Sequence, residues 1–218
     1  MLKQYIKHNK ILFLEILIVL SFTILEVLYF YHHPIIDHDE IIGINIGMQP
    51  WEMFFKTIST EPHPIGYFLI LKALSLFEIS TIRSLLAISG NLIIIISLVI
   101  GNHYKTWDKN KLSAGVLLFL SSFVYVHSTT RIKPDTLSLP LFILFITLYL
   151  IYKELKLKRS RILNWMALVT IAIMMLNLRT FVFVGIVWGY EIISLIKVQG
   201  LKSSELRRIL IRMILVGS

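Results

Sequence analysis

The amino-acid sequence predicts an all-α, polytopic bundle of six to seven transmembrane helices, with short helices lying on the outer face of the membrane. Of the 218 residues, 56% are hydrophobic and only 16% are charged, which is too apolar for a soluble domain of this size. The basic residues lie between long apolar runs and do not form one stripe. Lipid headgroups are therefore the expected partners of these cations, and nucleic acid is not.

The predicted spans form a single transmembrane domain over residues 1–218. The first span is predicted to be an uncleaved signal anchor, because Lys3, Lys7 and Lys10 precede a long apolar run and no small-residue cleavage site follows it. These lysines place the N-terminus in the cytoplasm. The predicted spans are 11–31, 84–102, 112–130, 137–152, 162–177 and 180–196, and a further one begins at Ile209.

The apolar segment 64–77 is predicted to stay on the outer surface. At about 1.5 Å per residue it covers roughly 21 Å, which is short of the ~30 Å hydrocarbon layer. If it stays outside, most of the 22 Lys and Arg residues fall in cytoplasmic loops, as the positive-inside rule requires. Lys72, Ser75 and Glu78 would then form the polar stripe of a helix lying on the membrane.

A second surface helix is predicted at residues 51–58. Its apolar residues share one helical face, and Glu52 and Lys56 form a pair on the other. The first external loop therefore extends over about residues 32–83, and the second over about residues 129–137.

An acidic cluster follows the first span directly. The chain has only 13 acidic residues, and Asp37, Asp39 and Glu40 lie together at this membrane exit. Asp37 and Glu40 also have the spacing of a helix capping box. For Asp39 and Glu40 together we favour a functional role.

Three features occur in order along the first external loop. Asp39 and Glu40 follow the first span, and His63-Pro64 comes before an aromatic-rich apolar segment. Arg83 then opens the next span. This order resembles the GT-C superfamily of membrane glycosyltransferases, and within it the protein mannosyltransferase and aminoarabinose transferase group.

The second external loop carries a further match. It contains Arg131, Lys133 and Asp135, and Asp135 resembles the acidic residue at the start of the family's fourth span. Arg179, in a short external turn, matches a basic residue that family members often carry. The alternative is that these residues only end or cap spans, with their cations at lipid headgroups.

The resemblance implies an inverting glycosyltransferase that moves a sugar from a polyprenyl-phosphate donor to a hydroxyl of a lipid, glycan or protein on the extracytoplasmic face. Asp39 is the expected general base, because a neutral hydroxyl needs a proton acceptor to become a good nucleophile. Cations would stabilise the departing phosphate. No cofactor is predicted. The implied catalytic residues are Asp39, Glu40 and Asp135, and the implied phosphate-binding residues are His63, Arg83, Arg131, Lys133 and Arg179.

Other functions remain open at this point. Imidazole and carboxylate groups after the first span would also suit a divalent metal. Glu15 and Glu26 inside the first span would fit a transporter. GT-C enzymes usually have eleven or more spans, so a non-catalytic assembly subunit or an inactive truncated fragment is a third alternative. The candidate metal ligands are His32, His33, Asp37, His38 and Asp39.

Overall fold

The computed structural model describes residues 10–32, 38–61, 63–104, 131–154, 159–199 and 204–217, and the regular elements within these ranges are α-helices. They are α1 (Lys10–His32), α2 (His38–Met48), α3 (Trp51–Ile58), α4 (Ile65–Leu74), α5 (Ile79–His103), α6 (Asp135–Glu154), α7 (Arg159–Leu176), α8 (Leu178–Gln199) and α9 (Ser204–Gly217).

Four described helices are long and apolar enough to cross a membrane: α1, α5, α6 and the 178–197 part of α8. Each contains one of the predicted spans. The predicted span 162–177 corresponds to α7, whose apolar part is shorter, and the predicted span 112–130 lies outside the described residues. The helical class of the fold is therefore confirmed, and the four long apolar helices agree with a membrane protein.

The centre of the bundle is the packing of α5 against α6. A Cβ atom at Gly90 of α5 would lie 2.8 Å from the carbonyl oxygen of Thr136 and 3.3 Å from Cγ of Pro140, both in α6. A larger residue at this position would push the two helices apart. On one side α1 packs against α5, and on the other α7 packs against α6. Helices α6, α7 and α8 share one apolar core, which includes Phe145, Met166 and Trp188.

Two short helices, α2 and α4, cross closely at one end of this bundle. A Cβ atom at Gly47 would lie 3.0 Å from the backbone carbonyl carbon of Leu71. Lys72 of α4 donates from Nζ to the carbonyl oxygen of Gly47 at 3.2 Å and also to that of Gln49. The lysine therefore caps the C-terminal end of α2, where backbone carbonyls lack partners within the helix.

This contact corrects the predicted polar stripe on segment 64–77. Lys72 turns inward to α2, and α4 ends at Leu74, so that Ser75 and Glu78 are not on the same helix. The sequence pattern suggested a stripe facing water, but unsatisfied carbonyl groups of a neighbouring helix compete for the ammonium group.

The helix predicted at residues 51–58 is confirmed, with the same bounds, as α3. Phe54 is completely buried, while Trp51 and Phe55 are exposed and their rings stack at 5.7 Å. The aromatic residues thus divide between the protein core and the surface, as expected of a helix at a membrane interface.

Candidate functional site

A cavity of about 620 Å³ lies at the end of the bundle where α4, α6 and α8 begin. Its walls come from α2, from the segment before α4, from α4 itself, from the segment leading into α6, and from the junction of α7 and α8. The lining residues include Gly43, Glu61, His63, Tyr67, Ile132, Lys133, Asp135, Asn177 and Arg179.

Four of the residues predicted from the sequence line this cavity together: His63, Lys133, Asp135 and Arg179. They come from three chain segments that are far apart in the sequence. Glu61 adds a second carboxylate to the lining. The cavity thus combines two cationic side chains, two carboxylates and an imidazole within one space at an end of the bundle.

Asn177 fixes the relative positions of Asp135 and Arg179. Its side-chain amide donates to Oδ1 of Asp135, and its own Oδ1 accepts the backbone N–H of Arg179 at 2.9 Å. The second contact is the N-cap interaction that starts α8. A hydroxyl contact of 3.1 Å between Ser138 and Thr180 joins α6 to α8 one turn further along. Asp135 and Arg179 are therefore held on a rigid junction between two helices.

The segment that carries Lys133 is held at Ile132 from two sides. Oε1 of Glu40 accepts the backbone N–H of Ile132 at 2.5 Å, and the hydroxyl of Tyr67 donates to its carbonyl oxygen at 2.9 Å. Both backbone groups of a buried residue outside regular structure are thereby satisfied, which such groups require. The clamp fixes the backbone from which Lys133 enters the cavity wall.

Glu40 in turn is paired with Arg83. Nε of Arg83 donates to Oε1 of Glu40 at 3.1 Å, and an amino group of Arg83 donates to Oε2 at 2.5 Å. Glu40 is 0% exposed and Arg83 is 3% exposed. The structure thus places these two predicted site residues in a buried, bidentate ion pair that supports the segment 131–134. Neither belongs to the cavity lining.

The remaining predicted residues lie elsewhere or are only partly described. Arg131 does not line the cavity, and its carbonyl oxygen accepts the hydroxyl of Thr136 at 3.0 Å. Asp39 belongs to α2, one turn before the cavity-lining Gly43, but its side chain lies outside the described part of the structure.

The candidate metal ligands also fall largely outside the described ranges. His33 and Asp37 lie in the gap between α1 and α2. Among the side chains that the structure does describe, no three His, Asp or Glu residues come together in a group suited to a metal ion.

Three cavity residues were missed as site residues by the sequence reasoning: Glu61, Tyr67 and Asn177. Glu61 lies beside the His63-Pro64 motif, and an acidic residue next to this motif was the available signal. Tyr67 belongs to the aromatic-rich segment after this motif, where aromatic residues more often mark the membrane interface than a binding site. Asn177 lies in a one-residue break between two apolar helices, where a capping asparagine is the ordinary explanation.

Such a cavity suits an anionic group attached to a polyhydroxyl compound. Lysine and arginine side chains form charge-assisted hydrogen bonds with phosphate oxygens, and carboxylates accept hydrogen bonds from hydroxyl groups. No protein-family model, curated protein or solved structure matches the chain. Any function assigned to it therefore depends on the geometry of its own residues.

Proposed function

We propose that the chain is a GT-C type glycosyltransferase, which moves a sugar from a polyprenyl-phosphate donor to an acceptor hydroxyl on the extracytoplasmic face. The observation that carries the proposal is the cavity itself, because Lys133 and Arg179 share it with Asp135 and Glu61. These are the charges that a phosphate leaving group and a sugar acceptor need. The acceptor is a lipid, glycan or protein.

The donor phosphate is bound by Lys133 and Arg179, with His63 as a further contact. A charge-assisted hydrogen bond to phosphate in a partly dehydrated site contributes about 1.5 to 3 kcal/mol. The same cations stabilise the charge that develops on the phosphate as it departs. Because the phosphate leaves as an anion, it requires no proton from an acid.

The polyprenyl tail of the donor lies along α8. Leu178 lines the cavity next to Arg179, and Leu178, Val182 and Ile186 are all more than half exposed. They follow one another at four-residue spacing, so they share one face of the helix. This face provides a continuous apolar path from the cavity into the hydrocarbon layer.

The acceptor hydroxyl loses its proton to Asp39 while its oxygen attacks the anomeric carbon from the side opposite the phosphate. The bond from that carbon to the phosphate oxygen breaks, and its electron pair leaves with the oxygen. Because attack and departure take place on opposite faces of the carbon, its configuration inverts. Asp135 orients the acceptor or the cations, consistent with its bond to Asn177. No cofactor is required.

The cavity opens on the extracytoplasmic side and the N-terminus is cytoplasmic, in a chain of six to seven spans. A reporter inserted after Leu76, which is 93% exposed, should report the outer side. A reporter inserted after Lys109 should report the cytoplasm. A cytoplasmic signal after Leu76 would contradict this orientation and with it the position of the site.

A transporter is less well supported by the described contacts. Glu26 in α1 accepts a hydrogen bond of 2.7 Å from the side chain of Asn91 in α5, and Glu191 in α8 contacts Lys153 of α6 at 3.0 Å. These carboxylates therefore join neighbouring helices. For Glu191, and for the oxygen of Glu26 that Asn91 contacts, helix packing explains the burial without a transport path.

The test is reconstitution of the purified chain in vesicles with radiolabelled polyprenyl-phosphate sugars, mannose and aminoarabinose donors among them. We expect saturable donor binding and transfer of label to an added acceptor. Asp39→Asn should keep donor binding and lose transfer by about a hundredfold to ten-thousandfold. Binding without transfer would indicate an inactive fragment with an intact donor site. Neither binding nor transfer with any donor would refute the proposal.

A further inference from the structure

A second charged surface lies at the end of the bundle opposite the cavity. Helix α7 runs from this end to the cavity, where Asn177 follows it, and α8 runs back again. The first turn of α7, the last turn of α8 and all of α9 therefore meet here, and α9 packs against both other helices. None of these residues has a part in the proposed transfer reaction.

Arg212 fixes the orientation of α9 on α7. Its guanidinium donates to Oδ1 of Asn164 at 2.8 Å and to the hydroxyl of Ser160 at 3.0 Å, both in the first two turns of α7. Leu206 and Ile209 are buried on the same side of α9. The middle of α9 thus lies against the beginning of α7, at the end of the bundle opposite the cavity.

The opposite side of α9 carries two exposed arginines, Arg207 and Arg208. Leu210 and Ile211 beside them are 42% and 46% exposed. Cations next to exposed aliphatic side chains on a helix that is anchored by its other face are typical of an interfacial membrane helix.

Further exposed cations extend this surface. Arg161 lies in the first turn of α7 and Lys197 in the last turn of α8. Glu154, at the end of α6, is an exposed carboxylate at the same end, so the described exposed charges here are predominantly positive. Trp165, one turn after Arg161, is 56% exposed, and tryptophan is enriched at the level of lipid headgroups.

We infer that this surface, formed by Arg161, Lys197, Arg207 and Arg208, binds the headgroups of anionic phospholipids in the adjacent leaflet. The charge of the surface complements that of the lipids, and Leu210 and Ile211 can enter the boundary between headgroups and acyl chains. Each arginine near an anionic membrane surface strengthens association by about fivefold. The binding is independent of the proposed transferase activity.

The experiment uses the full chain in phosphatidylcholine bilayers with tail-brominated phosphatidylglycerol or phosphatidylcholine as quenchers of tryptophan fluorescence. Subtracting the fluorescence of the Trp165→Phe variant from that of the wild-type chain isolates the emission of Trp165, which reports on this surface. The measured quantity is the affinity for phosphatidylglycerol relative to phosphatidylcholine. We expect a clear preference for phosphatidylglycerol that decreases in 0.5 M salt, because exposed charges are screened.

The double variant Arg207→Gln/Arg208→Gln should lower this preference about twenty-five-fold, because two effects of about fivefold multiply, whereas Arg207→Lys/Arg208→Lys should keep it. Lys56→Gln removes an exposed charge from α3 at the cavity end and should leave the preference unchanged. If the double variant does not fold, the single change Arg161→Gln should still reduce the preference by about fivefold. The inference is overturned if the wild-type chain shows no preference for phosphatidylglycerol, which is the result expected of a surface that binds an acidic protein segment instead. It is also overturned if the glutamine variants keep the full preference.

Discussion

Two ion pairs in the described part of the chain, Glu40–Arg83 and Glu191–Lys153, have the same chemistry but different surroundings. Both carboxylates are almost completely buried, whereas Arg83 is 3% exposed and the side chain of Lys153 is 42% exposed. Glu40 also accepts a backbone N–H from the segment beside the cavity, while Glu191 accepts the hydroxyl of Tyr149 at 3.0 Å within the bundle. The first pair fixes irregular backbone at the cavity, and the second joins two regular helices.

The comparison shows which pair the fold depends on. When one member of a buried pair is removed, the other charge stays in a medium that solvates it poorly, and this costs several kcal/mol. A partly exposed lysine can instead extend to water or to lipid headgroups. The consequence of losing a carboxylate is therefore set by the exposure of its partner.

The largest effect is expected for Glu40→Gln. The amide keeps the shape of the side chain but leaves the charge of Arg83 buried, so the change should destabilise the protein by about 3 to 5 kcal/mol. Thermal unfolding in detergent measures this loss. Donor affinity per folded molecule should also decrease, because the backbone at Ile132 is no longer held by a carboxylate. An unchanged unfolding midpoint would show that the pair does not stabilise the cavity end.

The two pairs also show how far the sequence could predict the site. The count of basic residues predicts an external position for His63, Lys133, Asp135 and Arg179, and the structure brings all four into one cavity. Glu40 is predicted to act in catalysis because a cluster of carboxylates next to a membrane span costs free energy, which indicates that the cluster has a function. A carboxylate buried in an ion pair gives the same sequence signal.

The helices were more predictable than the contacts between them. Long apolar runs and the bounds of α3 follow from local periodicity, and these predictions agree with the described helices. Lys72 donates to carbonyl groups at the end of α2, and Asn177 donates to Asp135. Both contacts depend on which polar groups of distant segments lack hydrogen-bond partners. No local pattern contains that information, so these two contacts could not be predicted from the sequence.

The next effect concerns the cations of the cavity wall. Arg179→Gln and Lys133→Gln should each weaken donor binding at least tenfold, which corresponds to a charge-assisted phosphate contact of about 1.5 to 3 kcal/mol. Neither change should destabilise the fold as strongly as Glu40→Gln, because each removes only a cation of the wall. Binding of radiolabelled donor to folded, reconstituted protein measures the effect.

Arg131→Gln is the matched control, since Arg131 is two residues from Lys133 but does not line the cavity. Its effect on donor binding should be clearly smaller. Equal losses in the three variants would mean that net charge at this end of the bundle, and not the cavity wall, governs donor binding.

A smaller effect should follow from Gly66→Ala in α4. A Cβ atom there would lie 2.6 Å from the carbonyl oxygen of Met175 in α7, and this backbone atom cannot move aside cheaply. Overpacking of this kind typically costs about 1 to 3 kcal/mol. Gly185→Ala in α8 is the control, because among the described residues no atom beyond the adjoining backbone of α8 lies within 4 Å of its Cβ position. A lower unfolding midpoint is expected for the first variant only, and equal midpoints would refute a tight contact between α4 and α7.

The smallest effect is expected for Glu191→Gln, which makes the same chemical change as Glu40→Gln in the other pair. The amide oxygen can still accept the hydroxyl of Tyr149. Lys153 loses its partner, but its side chain is 42% exposed, so its charge remains solvated and the lost attraction is screened. The free energy of unfolding should therefore fall by no more than about 1 kcal/mol, and donor binding should not change, because α8 meets the cavity only at its opposite end. Parallel unfolding and donor-binding measurements on the two glutamine variants provide the test. If Glu191→Gln proved as destabilising as Glu40→Gln, the exposure of the cationic partner would not be what distinguishes the two pairs.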